Sequence, residues 1–154
     1  MAQKKQFKDL DLSNAFLFAA ALEDEETCRL VLECILGTSI DRVNVKAERS
    51  MLFSSDFRCV RLDIFASDGL NVGYNLEMQN ADEGNLPQRS RYHQAELVCF
   101  LRYVTESTDT YVRQLGNPKL DKIHERIKTL KQSRKLEERY SFTLRIRNRE
   151  LRYV

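Results

Sequence analysis

Residues 59–79 constrain the fold more tightly than any other part of the chain. CVRLDIFA and VGYNLEMQ each alternate apolar and polar residues, on either side of SDGLN. A period of two marks a half-buried strand, and two such runs around Asp-Gly read as an antiparallel hairpin. Val60, Leu62, Ile64 and Ala66 fall on one face of the first strand, and Val72, Tyr74, Leu76 and Met78 on one face of the second. Opposed residues in an antiparallel pair share a face, so partner numbers must add to an even total if the apolar rows are to meet. A total of 138 pairs Leu62 with Leu76 and Ile64 with Tyr74. A two-residue turn at Asp68-Gly69 gives 137 and sets apolar against polar. Burial stabilises by about 1.5–3 kcal/mol per large apolar side chain, which outweighs one turn preference. A longer or bulged connection is therefore expected.

The same parity places Asp63, Asn75, Glu77 and Gln79 on the opposite face. Asp and Glu are disfavoured inside strands, so their presence asks for a reason. In the 138 register Asp63 opposes Asn75 and Glu77 lies on the diagonal. Diagonal neighbours stand roughly 7–8 Å apart at the backbone, close enough for two carboxylates to converge on one cation. Hard oxygen ligands, with water and phosphate, suit Mg²⁺ or Mn²⁺. Gln79 could orient a water or hold a phosphate oxygen, without bringing charge. The competing reading is a solvated polar face on which Arg61 pairs with Glu77.

Helical patterning flanks this strand region. Ser13 or Asn14 can cap a helix containing Phe16, Leu17, Ala20 and Ala21. A second helix is expected from Glu25 to Leu36, with Cys28, Val31, Leu32, Ile35 and Leu36 on one face and Gly37 as its left-handed stop. Val43, Val45 and Ala47 predict a strand over about 42–51, which makes the sheet a three-stranded meander. NADEGNLP reads as a loop, and helical spacing returns from about Gln88. Asn117-Pro118 opens a long amphipathic helix with the stripe Leu120, Ile123, Ile127, Leu130, Leu136 and Tyr140.

A length of 154 residues suits one core, and 42% apolar with 31% charged residues excludes a wholly disordered or collagen-like chain. No apolar run approaches the roughly 18–20 residues of a membrane span. The start, MAQKKQFKDLDLSN, lacks a signal core, so a cytoplasmic protein is expected. The four cysteines show no CxxC spacing, which speaks against zinc and a disulfide framework. Residues 1–100 carry 11 Lys and Arg against 16 Asp and Glu, whereas residues 101–154 carry 14 against 7. The basic tail reads either as a DNA-backbone contact or as a helical pair packing on itself or on a second subunit.

RLDIFASDGLNVGYNLEMQ followed by LPQRSRYHQ resembles the PD-(D/E)XK nuclease-like transposase family, which includes the recombination-promoting nucleases. FLFAAALEDEETCRLVLECILG resembles the opening helices of that family, and the resemblance spans roughly residues 8–100. It implies an α/β, restriction-endonuclease-like core of helices, a three-stranded antiparallel meander and a helix. It also implies Mg²⁺-dependent (or Mn²⁺-dependent) hydrolysis of DNA phosphodiesters in transposition or recombination. Asp63 and Glu77 match the metal-binding acids, and Gln79 stands where the general motif has Lys. Arg89, Arg91, Tyr92 and Gln94 match the helix beside the active site, as DNA-binding residues, against an ordinary surface or packing role for each. Glu33 is the candidate auxiliary acid, against the simpler reading of an exposed helix carboxylate. His93, in the RSRYHQ segment, could approach the site, but with no second histidine near it in sequence the simpler reading is a surface or helix-packing residue.

The family's usual final strand is missing after the RSRYHQ helix, as though an internal stretch had been deleted. The expected organisation is a nuclease-like core over 8–104 and a basic helical extension over 105–154. An unpaired sheet edge follows, open to a homodimer contact, as are the C-terminal helices. The alternative function is a truncated, catalytically inactive remnant that only binds DNA or dimerises through its helical tail.

Overall fold

The computed structural model describes residues 5–47, 64–70, 72–76 and 95–150. Among them the chain forms six α-helices and one three-stranded antiparallel sheet, an α/β arrangement. The helical start divides where its sequence says it should. Asn14 caps α1 (Ala15–Leu22), its side chain accepting from the N–H groups of Phe16 and Leu17. Asp24 caps α2 (Glu25–Leu36) by accepting from Thr27 N–H, and Gly37 closes that helix at φ 67°. The sequence AFLFAAAL is apolar all round, and α1 is correspondingly enclosed, with Leu17 to Leu22 all buried. On α2 the buried set is Thr27, Cys28, Leu30, Val31, Leu32, Glu33 and Cys34, with Ile35 partly buried against the core, while Leu36, expected on the same face, is exposed.

β1 (Val43–Ala47), β2 (Ile64–Asp68) and β3 (Gly73–Leu76) follow in spatial order β1-β2-β3. Val43, Ala66 and Leu76 are buried, and β1 lies against α2. The other face carries Asn44, Lys46 and Asn75, all exposed. The meander is thus one-sided, apolar toward the helices and polar outward.

α3 (Ala95–Thr105) runs through LVCFLRYVT without a break and packs on α2. α4 (Asp109–Leu115) is capped by Thr108 and closed by Gly116 at φ 57°. α5 (Pro118–Lys131) begins as expected, with Asn117 accepting from the N–H groups of Lys119 and Leu120 and Pro118 in the first turn. The expected single helix to Tyr140 is corrected. α5 stops at Gln132, and α6 (Arg134–Glu150) starts after Ser133, whose hydroxyl accepts from Leu136 N–H. The break needs neither Gly nor Pro; a serine able to cap suffices.

Leu120, Ile123, Ile127 and Leu130 are buried against α1 and α2, in the same cluster as Leu17, Val31 and Tyr103. One core therefore runs through residues on both sides of position 105. Ile123 has no exposed surface. Ile123→Val is expected to cost about 0.5–1.5 kcal/mol through the cavity it leaves. Urea unfolding at constant slope measures this, and an unchanged midpoint would contradict the packing described. α6 is seated at its start, where Tyr140 meets Phe7 at 5.6 Å and Phe16 at 5.4 Å between ring centroids.

Candidate functional site

β2 and β3 form the frame for the proposed acids. Ile64 opposes Leu76, Phe65 opposes Asn75, Ala66 opposes Tyr74 and Ser67 opposes Gly73. The partner total is 140, so the expected pairings of Leu62 with Leu76, Ile64 with Tyr74 and Asp63 with Asn75 are replaced. A shift of two leaves parity intact, and the apolar rows still meet. The connection explains the shift. Asp68 N–H donates to Val72 O at 3.1 Å, so three residues separate the two, more than a two-residue turn provides. Asp68 Oδ1 accepts from the N–H groups of Leu70 and Val72, each at 2.9 Å, and Oδ2 accepts from the Tyr74 hydroxyl at 2.7 Å. A carboxylate organises this connection, and glycine is not what sets its geometry.

The Tyr74 hydroxyl and the two backbone N–H groups hold the Asp68 carboxyl below the ordinary carboxylate value. A depressed folded-state pKa stabilises above the unfolded value, and that contribution is lost as pH falls through the folded one. The hairpin tip is therefore expected to keep its hydrogen bonds until pH drops below 3.8. Amide chemical shifts of Leu70 and Val72 followed through acid titration test this; a midpoint at or above 3.8 contradicts it.

Asp63 directly precedes Ile64, and Glu77 directly follows Leu76. Both lie outside the described residues, as do Gln79, Arg89, Arg91, Tyr92, Gln94, Arg61 and His93. Among the described residues no cluster of three or more His, Cys, Asp and Glu is arranged to hold a metal ion.

Glu33 is described, and the simple reading of it as an exposed carboxylate is corrected. It is 5% exposed and faces the protein interior. Its Oε1 accepts from Arg29 Nη1 at 2.7 Å and from Ile40 N–H at 2.9 Å, and Lys119 Nζ stands 3.5 Å from Oε2. Lys119 also pairs with Glu96 at 3.0 Å, and Glu96 is the main cause of its raised pKa. The group ties α2, α3, α5 and the approach to β1 together. A cation at Glu33 would have to displace Lys119 or Arg29.

A second buried polar group has a weaker signal in the sequence. His124 is buried, its Nδ1 2.9 Å from the Tyr103 hydroxyl and its Nε2 3.0 Å from Asp109 Oδ1. A carboxylate only accepts, so Nε2 carries the proton toward Asp109, and Nδ1 of the neutral ring can accept from Tyr103. The hydrogen bond from His124, then that from Lys128, lowers the Asp109 pKa. His124 follows Leu120 by one helical turn, which is the clue that it lies on the buried stripe. Tyr103 has no exposed surface, so this run of hydrogen bonds joins α3, α4 and α5 from within.

Cys28 and Cys34 are likewise structural. Burial pushes Cys28 up to about 12 and Cys34 up to about 11, leaving neither as a thiolate near neutral pH. No helix among the described residues is long and apolar enough to cross a membrane. No family model matches the chain, and no curated protein or solved structure matches it.

Proposed function

We propose that the chain is a metal-dependent DNA endonuclease of the PD-(D/E)XK transposase-like kind, acting in recombination or transposition. The observation that carries this reading is the even register of the hairpin, which ends at Ile64 opposite Leu76. Asp63 and Glu77 lie outside the described residues, and a ladder continued by one pair at the same register would make them direct partners on the polar side. Two opposed carboxylates are a fitting donor set for a hard divalent cation. Mg²⁺ or Mn²⁺ held there would supply a Lewis acid and a more acidic water.

The chain's own residues then have distinct tasks. Asp63 and Glu77 would hold the cation, and Gln79 would orient the attacking water or hold a phosphate oxygen. Arg89 and Arg91 grip the DNA backbone through paired N–H donors, with Tyr92 and Gln94 beside them. Their combined effect is to line up water, phosphorus and leaving oxygen before reaction. Conversion of supercoiled plasmid to open circles by wild type and Asp63→Ala, with and without Mg²⁺, tests the reading. Equal activity overturns it and leaves the inactive remnant that binds DNA or dimerises through its helices.

A further inference from the structure

The basic tail divides into two helices whose charges meet different fates. On α5 most of the basic side chains have carboxylate partners. Lys119 reaches Glu96 and Glu33, Lys122 reaches Glu26 at 4.0 Å, Arg126 reaches Asp24 at 3.5 Å, and Lys128 reaches Asp109 at 3.3 Å. Most of these pairs join α5 to the acidic helices of the first hundred residues. Much of the charge asymmetry in the sequence is thereby consumed within the fold.

α6 is different. Its sequence RKLEERYSFTLRIRNRE holds six basic and three acidic residues, with no acid between Arg139 and Arg149. Arg134 pairs with Glu138 at 3.1 Å. Arg139 lies 5.9 Å from the Phe16 ring centroid, an approach that leaves its charge uncompensated. Among the described residues no carboxylate comes within pairing distance of Lys135, Arg139 or Arg145. Leu136 and Tyr140 seat the first turns on the body, while Phe142 beyond them is 60% exposed.

We propose that α6 is a duplex-DNA contact, with Lys135 and Arg145 binding backbone phosphates independently of sequence. Uncompensated positive charge along a helix of 17 residues, about 25 Å long, complements the phosphate rows of a duplex. The B-form major groove, about 12 Å wide, admits an α-helix, whereas the deep and narrow groove of A-form RNA does not. A second copy of the chain fits less well. Among the described side chains of α6, Phe142 is the single exposed large apolar residue, and a stable interface needs about 800 Å² per partner around an apolar centre.

This mode of binding deepens the nuclease reading by naming how the same DNA is held, and it can be measured without cleavage. Fluorescence anisotropy with a labelled 20-bp duplex, in EDTA and over a series of salt concentrations, is the test. Lys135→Gln with Arg145→Gln is expected to weaken binding about tenfold near 0.1 M salt. The slope of log affinity against log salt should fall by about 2, because each phosphate that the protein neutralises adds about 0.9 to it. Lys122→Gln with Lys128→Gln, on α5, should leave that slope unchanged. Circular dichroism confirms that both variants fold, and charge reversal at 135 and 145 should enlarge the effect.

Unchanged affinity and slope overturn the proposal, as does equal weakening by the α5 variant. Preferred binding of a duplex RNA probe also overturns it, and so does disappearance of a dimer in sedimentation with DNA binding intact. Asp63→Ala separates the two readings. A wild type that binds through α6 but cuts no better than Asp63→Ala sinks the nuclease alone. Cleavage that persists while the α6 variant binds normally sinks the α6 proposal alone.

Discussion

Replacing Asp63 by alanine is expected to lower Mg²⁺-dependent plasmid cleavage by about 10²–10⁴-fold. The size follows from what a bound cation contributes. Lewis-acid stabilisation of a phosphoryl group is worth several kcal/mol, and each 1.36 kcal/mol is about a factor of ten in rate. A two-carboxylate site deprived of one ligand holds the cation too weakly to keep that contribution. Asp63→Asn should be nearly as impaired, because the amide keeps the shape and lacks the charge. Asn75→Ala is the control: Asn75 shares the polar face, opposite Phe65, but carries no charge. It should stay close to wild type. Mn²⁺ calorimetry gives a reading without substrate, with heat that disappears in Asp63→Ala. If cleavage and heat are the same in wild type and Asp63→Ala, the carboxylate has no part in the chemistry.

The second large effect concerns stability. Glu33→Ala is expected to lower the unfolding free energy by about 2–4 kcal/mol. Breaking a buried ion pair from one side costs about 3–5 kcal/mol, and an orphaned buried N–H costs about 1–3. Here the partners are partly wet, with Arg29 21% and Lys119 32% exposed at the side chain. Solvent therefore offsets part of the cost. Arg29 also keeps Glu26, at 2.9 and 2.7 Å. The Ile40 N–H, in contrast, has nothing to replace Oε1. Glu33→Gln keeps an acceptor for that N–H and should cost only about 1 kcal/mol. Urea unfolding of the two variants gives the comparison, and equal costs would contradict the hydrogen-bond argument. The same pair bears on the auxiliary-acid idea. Glu33→Gln should retain cleavage if the carboxylate only ties helices together.

The residues that proved legible act locally. Asn14, Asp24, Asn117 with Pro118, and the left-handed Gly37 mark helix ends through interactions within a few positions, so spacing alone reveals them. The parity of the hairpin was legible for the same reason, since alternation fixes which side chains share a face. Its register was not. A longer connection was expected from parity, but its exact length depends on how Asp68 folds its carboxylate back onto Leu70, Val72 and Tyr74, which alternation does not report. The junction of α5 and α6 was hidden because Gln132 and Ser133 are compatible with a continuing helix. The burial of Glu33 was hidden because Ile40 and Lys119, the latter paired with Glu96, reach it from other elements, and no periodicity within α2 reports them. Of the expected site, the frame of strands is described, while the acids themselves fall just past its ends.

The enclosure of α1 has a consequence for how the chain comes off the ribosome. Leu17, Leu22 and Val31 complete their surroundings only when Ile123 and Ile127 arrive, about a hundred residues later. At about 5–20 residues per second, the first two helices wait on the order of 5–20 s before α5 can cover them. During that interval an apolar helix emerges with one side bare, the kind of surface that chaperones hold and that nascent chains share with one another. Folding is thus gated by synthesis of the last third of the chain, and a ribosome that stalls before Pro118 leaves a product whose most apolar helix has no lid.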